Sequence, residues 1–309
     1  IELKTNPQSI FKEQQSQSKL SLMLLAPLVD SIVSEKRIQF RGKLNVQIEA
    51  DLSKSYGLFV EVEPRELSRV LSNLVNNSVE AFGEGGGTVT LAIRGYREKI
   101  SLIVSDNGKG IPESVLIKLG EKGVSHGKEG TQSGSGLGVY HAKQTIESFG
   151  GSFGVASKVG MGTMITINLN KQTPPKWFVN ELAVMAGQTI VALDDDAAIH
   201  GVWRERFKQA ELEASGICLK SYTSGSVLKE EKPQACVYLM DYELLGQKET
   251  GLDIIETLGL QEKAVLVTSR YDEKKVVERC LKLGVGLIPK SMAATVPIRV
   301  VSNETVTPE

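Results

Sequence analysis

The stretch VSDNGKGIP, residues 104–112, follows the apolar run KISLIV and ends a predicted strand. Glycine at such a junction indicates a turn, because glycine adopts positive φ without strain. One interpretation is a plain strand-to-helix connection, with Pro112 in the first turn of the helix. The alternative is a ligand site, in which Gly108 and Gly110 let the backbone approach a flat ligand while Asp106 hydrogen-bonds its edge.

The composition excludes several classes of protein. Lys and Arg number 36 against 37 Asp and Glu, so no net charge favours nucleic acid or an anionic membrane. The three cysteines Cys218, Cys236 and Cys280 form no CxxC pair, which indicates a reducing compartment without a disulfide frame or zinc site. The longest apolar stretch, LSLMLLAPLVDSIV, is interrupted by Pro27 and Asp30 and is too short to span a bilayer. We expect a cytoplasmic chain, whose parent protein could still be anchored in a membrane.

Strands and helices alternate in both halves of the chain, which predicts an α/β protein with two domains. In the first half, the helix PRELSRVLSNLVNNSVEAF and the helix LGVYHAKQTIESF are combined with strands such as KISLIVS and GTMITINLN. In the second half, the strands TIVALDD, ICLKSY, ACVYLMD, AVLVTS and GLIPK alternate with helices, as in a parallel sheet covered on both faces. The predicted divisions are a linker or helix end (1–20), a first domain (21–171), a proline-containing linker (172–187), a second domain (188–298) and a tail (299–309).

Two asparagines and a series of glycines mark the first half. Asn73 and Asn77 are four residues apart and project from one helix face. They are either solvated or capping residues, or Asn77 supplies a carbonyl oxygen to Mg²⁺. The stretch GSGLG at 134–138 leads into a helix and is either a hinge or a phosphate-binding loop. GMGT at 160–163 joins two strands and is, taken alone, an ordinary hairpin.

The order and spacing of these motifs resemble the N, G1, G2 and G3 boxes of the Bergerat-fold ATPases, which include gyrase, the large heat-shock chaperone, mismatch-repair ATPases and histidine kinases. The resemblance implies a two-layer α/β sandwich that binds ATP with Mg²⁺. The residues that carry it are Asn73, Asn77, Asp106, Gly108, Gly110, Gly134, Gly136, Leu137, Gly138, Gly160, Gly162 and Thr163.

The resemblance also implies a role for individual residues. Asp106 would accept a hydrogen bond from the adenine amino group, supported by Thr163 through water, and Gly108 and Gly110 would make room for the base. Asn77, with Asn73 nearby, would hold Mg²⁺ on the triphosphate.

Lys122 and Lys128 lie in the predicted lid over the site. They are candidates for phosphate contacts or are simply solvated. The aromatic-rich box usual before the lid is not recognisable, and the position three after Asn77, often basic in these kinases, is Glu80.

Within the superfamily, histidine kinases fit best. Gyrase-like members carry a water-activating Glu one helical turn before the metal-binding Asn, and here that position is Asn73. A kinase that passes phosphate to a histidine does not need this base. The stretch LAPLVDSIVSEKRIQF also looks like the exit from a kinase dimerisation helix.

Four strand ends of the second half carry polar side chains: Asp194 and Asp195, Asp241, Thr268, and Lys290. The carboxyl ends of parallel strands meet at one edge of a sheet, so we expect these side chains to share a cleft. Carboxylates so close together repel unless a divalent cation lies among them. A lone strand-end Asp can instead cap a helix, which explains the neighbouring Asp196 but not this convergence.

This set resembles a response-regulator receiver, a doubly wound (βα)5 flavodoxin-like domain. The resemblance implies that Asp241 is the phosphoacceptor, that Asp194 and Asp195 hold Mg²⁺ together with Asp241, and that Thr268 and Lys290 contact the phosphoryl group. The sequence departs from the pattern in three places. Leu287 stands where a switch aromatic is expected, Ser291 replaces the usual Pro, and the segment after Lys290 is short for a last helix and contains Pro297.

Together the two resemblances imply a fragment of a hybrid sensor histidine kinase. The histidines His126, His141 and His200 are the chain's only ones, and none lies in a dimerisation-helix context, so the phosphoaccepting histidine is expected outside this chain. The implied partners are the helix bearing that histidine, a homodimer of the full-length protein, and a downstream response regulator or phosphotransfer protein. The alternatives are a degenerate kinase that only docks partners and an ATP-driven conformational ATPase.

Overall fold

The computed structural model describes residues 20–117 and 137–301 of this protein. The chain divides into two compact units. The first runs to Gln172 but leaves out Ser55–Gly57, and the second comprises Ser55–Gly57 and the residues from Thr173 onward. No helix in the two described ranges is long and apolar enough to cross a membrane.

A mostly antiparallel sheet of seven strands forms one layer of the first unit. Its strands are β1 (Ser21–Leu24), β2 (Val46–Asp51), β3 (Phe59–Val62), β4 (Gly87–Gly95), β5 (Lys99–Asp106), β6 (Ser152–Lys158) and β7 (Gly162–Gln172). They are arranged in the order β1-β3-β7-β5-β4-β2, and β6 also pairs with β7. β2 and β4 run parallel, whereas β5 and β7 run antiparallel with Asp106 opposite Thr163.

Helices form the second layer of this unit: α1 (Leu25–Gln39), α2 (Pro64–Glu80), α3 (Glu113–Leu116) and α4 (Leu137–Ser148). α1, α2 and α4 contact the sheet. Leu91 and Ile93 of β4 are buried on the side that faces these helices, while Thr90 and Arg94 on the other side are partly exposed. The predicted two-layer α/β sandwich is therefore present.

The amphipathic sequence of α2 positions the two asparagines. The helix starts at Pro64 because the Glu63 side chain accepts hydrogen bonds from the N–H groups of Arg65 and Glu66, at 3.1 and 2.7 Å. One face is buried through Leu67, Val70, Leu71, Leu74, Val75, Ser78 and Val79. Asn73 is exposed and Asn77 half-buried, so both lie outside this apolar stripe.

Local sequence patterns did not predict two strands of the first unit, and they predicted one helix to be longer than it is. β1 and β3 pair with one another and have four residues each. Strands of this length are too short to show the alternation of apolar and polar residues that signals a strand. The helix predicted over PESVLIKLG is the single turn α3, and residues 118–120 lie outside the described residues.

Five parallel strands form the main sheet of the second unit, in the order β10-β9-β11-β12-β13. The strands of this unit are β8 (Leu182–Met185), β9 (Thr189–Leu193), β10 (Cys218–Tyr222), β11 (Val237–Asp241), β12 (Ala264–Thr268), β13 (Gly286–Pro289) and β14 (Ile298–Val301). All five strands predicted from the sequence are present, as β9 to β13.

Both faces of this sheet are covered, as the apolar strands predicted. The helices of the second unit are α5 (Ala197–Gln209), α6 (Gly225–Glu231), α7 (Gly251–Leu258) and α8 (Lys274–Leu283). Ile190 of β9 packs in a cluster with Trp203 of α5, whereas its neighbour Val191 packs in a second cluster with Ile254 of α7 and Val276 of α8. Alternate residues of one strand thus enter two cores, which is the arrangement of a doubly wound sheet.

The C-terminal part of this unit differs from the sequence interpretation. Within the described residues no α-helix follows β13; a 3-10 helix at Lys290–Thr295 leads into β14, which pairs in parallel with β8. β8 lies inside the segment predicted as a linker, and residues 299–301, predicted as the start of a tail, belong to β14. Pairing between segments more than 100 residues apart leaves no local signal, which is why these strands were not predicted.

Candidate functional site

The Asp106 carboxylate, at the end of β5, is oriented by backbone donors. Its Oδ1 accepts hydrogen bonds from the N–H of Gly108 at 2.9 Å and from the N–H of Thr163 at 3.2 Å. Within the described residues, no donor reaches the second oxygen, Oδ2. The carboxylate is therefore held in one orientation with one oxygen available to a ligand.

The glycines beside Asp106 are required by contacts within the protein. A Cβ on Gly110, whose φ is +68°, would lie 2.1 Å from the carbonyl oxygen of Lys158. A Cβ on Gly162, whose φ is +86°, would lie 1.9 Å from the carbonyl oxygen of Asp106. Gly110, which the sequence assigned to making room for a base, is thus needed first for the packing of one loop against another.

Ser157 links the two glycine loops, and no sequence motif pointed to it. Its hydroxyl accepts a hydrogen bond from the N–H of Ile111 at 2.9 Å and donates to the Gly162 carbonyl at 2.8 Å. The Thr163 hydroxyl lies 3.0 Å from the same Ser157 oxygen. Thr163 therefore touches Asp106 through its backbone N–H, while its side chain bonds Ser157.

Asn77 lies next to the start of α4. A Cβ added to Gly138 would lie 3.9 Å from Asn77 Nδ2, so the two helices approach each other closely here. The neighbouring Asn76 has a buried Oδ1 with no hydrogen-bond donor within the described part of the chain. The predicted phosphate-loop and lid residues Gly134, Gly136, Lys122 and Lys128 lie outside the described residues, and Leu137 begins α4.

A cavity of about 160 Å³ opens between α2 and α4. Its lining is formed by Arg69, Val70, Asn73, Gly138, His141, Ala142 and Thr145. Only Asn73 and Gly138 of these were predicted to bind ligand from the sequence. Arg69 received no role from the sequence, and His141, three residues after Gly138, was expected only to be packed or near the ligand. The packing of two helices places both around one cavity.

Comparison with known families identifies the segment that contains Asp106 and Asn77. Residues 62–173 match the family described as histidine kinase-, DNA gyrase B- and HSP90-like ATPase. This segment is a domain of that ATPase family. The ATP-binding domain expected from the motif series is therefore confirmed for this part of the chain.

Curated relatives of the ATPase domain are histidine kinases. The chain is 30% identical over 164 residues to the circadian input-output histidine kinase CikA of Synechococcus elongatus, covering 51% of this chain and 21% of the relative. It is 34% identical over 145 residues to the sensor histidine kinase AruS of Pseudomonas aeruginosa, covering 43% of this chain and 14% of the relative. The matches thus span about a fifth or less of these relatives, and they confirm the histidine-kinase type of the ATPase domain.

Two solved structures also show some similarity to this chain. The catalytic domain of histidine kinase ThkA is 25% identical, with 50% of this chain and 99% of that chain covered and a TM-score of 0.42. Full-length ShkA, solved in complex with AMPPNP, is 12% identical, with 89% of this chain and 83% of that chain covered and a TM-score of 0.44.

In the second unit, four of the five predicted strand-end residues come together as expected. Carboxylate oxygens of Asp194, Asp195 and Asp241 lie within 4.8 Å of one another. Lys290 Nζ lies 2.8 Å from Asp194 Oδ2 and 2.9 Å from Asp241 Oδ2. Thr268 is buried at the end of β12 and accepts a hydrogen bond from the N–H of Arg270 at 3.1 Å.

The environment of the acidic cluster changes the pKa values of its groups. Burial raises the pKa of Asp241 to about 6, against the opposing effect of the hydrogen bond from Lys290. Burial alone would lower the pKa of Lys290, but its hydrogen bonds to Asp194 and Asp241 raise it overall. The cluster therefore keeps a charged ammonium among carboxylates that are close enough to share a cation.

Neighbouring residues order the backbone that follows β9. Asp196 caps α5 by accepting from the Ala198 N–H at 2.8 Å, as its sequence position suggested. His200 Nε2 lies 2.7 Å from the Asp194 carbonyl oxygen, so this nitrogen carries the proton that it donates. The role of His200 was not predicted, because six residues along the chain separate it from Asp194 and only helix geometry brings the two together.

Replacing Gly162 with alanine tests the contact between the two glycine loops. We expect Gly162→Ala to lower the free energy of unfolding of the first unit by about 2 kcal/mol or more, because φ is positive and the Cβ meets the Asp106 carbonyl. Urea denaturation measures this loss. Gly160→Ala is the matched control, since Gly160 has a similar φ of +76° but nothing within 4 Å of an added Cβ. Equal losses of unfolding free energy in the two variants would contradict the close contact between Gly162 and the Asp106 carbonyl.

The raised pKa of Asp241 predicts a dependence of stability on pH in metal-free solution. Because the folded-state pKa of about 6 lies above the usual 3.8, the contribution of Asp241 to stability is full below about pH 4 and is lost as the pH rises through 6. Relative to Asp241→Asn, the unmodified protein should lose about 2–3 kcal/mol of unfolding free energy between pH 4 and pH 7. Urea denaturation with EDTA present measures the difference. If the unfolding free energies of the two proteins changed equally with pH, the raised pKa of Asp241 would be contradicted.

Proposed function

We propose that this chain is the catalytic and receiver portion of a hybrid sensor histidine kinase. Its ATPase domain binds Mg-ATP and phosphorylates a histidine outside this chain, and the phosphoryl group then moves to Asp241. The observation that carries the first step is the Asp106 carboxylate, whose Oδ1 is held by two backbone N–H groups while Oδ2 remains available. An adenine amino group is a donor that matches this free oxygen.

The metal and phosphates of the nucleotide fit the polar side of α2. Asn77 offers a carbonyl oxygen to Mg²⁺, with Asn73 one helical turn away. Thr163 supports the adenine contact through water, and Gly134, Gly136, Lys122 and Lys128 contact the phosphates. Asn73 cannot act as a general base toward water, which favours transfer to a protein over steady hydrolysis.

The acidic cluster fits a divalent cation and an acceptor carboxylate. Three carboxylates within 4.8 Å of one another supply the hard oxygen ligands that Mg²⁺ prefers. Magnesium, when bound, would neutralise charge on the phosphoryl group in transit. An Asp241 oxygen attacks the phosphorus of the phosphohistidine, the N–P bond breaks, and the imidazole leaves. Lys290 and Thr268 bind oxygens of the transferred group.

The five-stranded parallel sheet supports a receiver of the flavodoxin-like type, because its strand order corresponds to 2-1-3-4-5. We infer a cytoplasmic protein whose full-length form is a homodimer. Its partners are the helix that bears the phosphoaccepting histidine and a downstream response regulator or phosphotransfer protein.

Nucleotide binding tests the first step. In calorimetric titration with Mg²⁺ and a non-hydrolysable ATP analogue, Asp106→Asn should weaken binding at least about tenfold, since the amide nitrogen cannot accept from adenine. The asparagine keeps an Oδ1 that accepts from the Gly108 and Thr163 N–H groups, so the fold is preserved. Absence of binding by the unmodified chain would favour a docking module. In a separate assay with ATP itself, steady phosphate release without a labelled protein would favour a conformational ATPase.

Phosphorylation from a small-molecule donor tests the second step independently of ATP. With acetyl phosphate and Mg²⁺, the chain should gain one phosphoryl group that mass spectrometry detects on Asp241. Asp241→Asn should gain none, because the amide is not a nucleophile, and Asp106→Asn should be labelled like the unmodified chain. Phosphorylation of Asp241→Asn, or no phosphorylation of either the unmodified chain or Asp106→Asn, would refute the acceptor role of Asp241.

A further inference from the structure

Arg69 and His141 line the cavity between α2 and α4 and are not among the residues assigned so far to adenine or Mg²⁺. α2 presents a polar side chain at every fourth position: Asn77, then Asn73, then Arg69. Successive members of this stripe are about 6 Å apart along the helix axis. Asn73 and Arg69 line the cavity, and Asn77 lies beside Gly138, which also lines it.

The direction of this stripe relative to Asp106 is set by contacts at the end of α2. A Cβ on Gly108 would lie 2.9 Å from the Cβ of Ala81, and the Lys109 N–H donates to the Ala81 carbonyl at 3.2 Å. The loop proposed to hold adenine therefore lies against the C-terminal end of α2. Asn77 is one turn back from that end, and Arg69 is three turns back.

A nucleotide whose base lies at Asp106 and whose metal-bound phosphates lie at Asn77 is thus directed toward the cavity. Each further phosphate of the chain lies closer to the cavity. The cavity suits an anion, because Arg69 and His141 supply N–H donors and no carboxylate is among the described residues that line it. Two of its other lining residues, Val70 and Ala142, are apolar and buried.

Arg69 can exchange its present partner for a phosphate. Its guanidinium bonds Glu66 at 2.5 Å, but the Arg69 side chain is 63% exposed. Exposed ion pairs contribute little to stability, so a phosphate that offers several oxygens competes well with Glu66.

We propose that Arg69 and His141 bind the terminal phosphate of ATP and make the ATPase domain prefer ATP over ADP. This inference rests on the proposed ATP site. Arg69 acts from α2 and His141 from α4, so the preference arises where the two helices face each other across the cavity.

The test compares the affinities of a non-hydrolysable ATP analogue and of ADP, each with Mg²⁺, by calorimetric titration of the whole chain. We expect Arg69→Ala and His141→Ala each to weaken binding of the analogue about tenfold, while ADP affinity changes less than about twofold. Arg65→Ala is the matched control, because Arg65 is an exposed cation on the same helix that does not line the cavity. It should leave the ratio of the two affinities unchanged.

For a fourth variant we expect the opposite change in the ratio of the two nucleotide affinities. Glu66→Gln releases Arg69 from its carboxylate partner and should raise the preference for the ATP analogue over ADP. Circular dichroism should show all variants folded, since the replaced side chains are not buried.

The outcomes separate this inference from the proposed function. Equal weakening of both nucleotides, or no change in either, by Arg69→Ala and His141→Ala would overturn the terminal-phosphate contact while leaving the ATP site standing. Failure of the unmodified chain to bind either nucleotide would overturn the ATP site and this inference with it.

Discussion

The first unit depends on the close approach of Gly162 to the carbonyl of Asp106. This approach is possible only without a side chain, and it brings the Thr163 N–H onto the Asp106 carboxylate. Ser157 secures the same junction by bonding both glycine loops at once. The orientation of a single carboxylate oxygen thus follows from backbone contacts between segments that are about 50 residues apart in the chain.

The second unit uses a different constraint. Lys290 bonds two carboxylates of neighbouring strand ends, Asp194 and Asp241, and so offsets the repulsion that burial would otherwise make costly. His200 and the capping residue Asp196 hold the adjoining turn. The ammonium of Lys290 thus holds together the carboxylates that we propose share a divalent cation.

Much of both sites was visible in the sequence, and what was missed has a common cause. Asp106, Gly162 and the acidic strand ends were found because each is a residue type that is unusual at its position in a strand or turn. Ser157 was missed because a serine in an edge strand is unremarkable. Arg69 was missed because an arginine is ordinary at an exposed helix position. His141 was noted as packed or near the ligand but received no contact, because only the packing of α2 against α4 joins the two residues around a cavity.

The sequence by itself determined the two α/β halves, the five parallel strands of the second unit and the motif series of the ATPase domain. These features are local: periodicity selects helix or strand, and glycine is required where the backbone turns sharply or packs closely. The tertiary structure decided the pairing of β8 with β14, the absence of an α-helix after β13 within the described residues, and the close packing of Gly110 against the Lys158 carbonyl. Those outcomes depend on contacts between distant segments, whose free energy is not encoded in any short stretch of the chain.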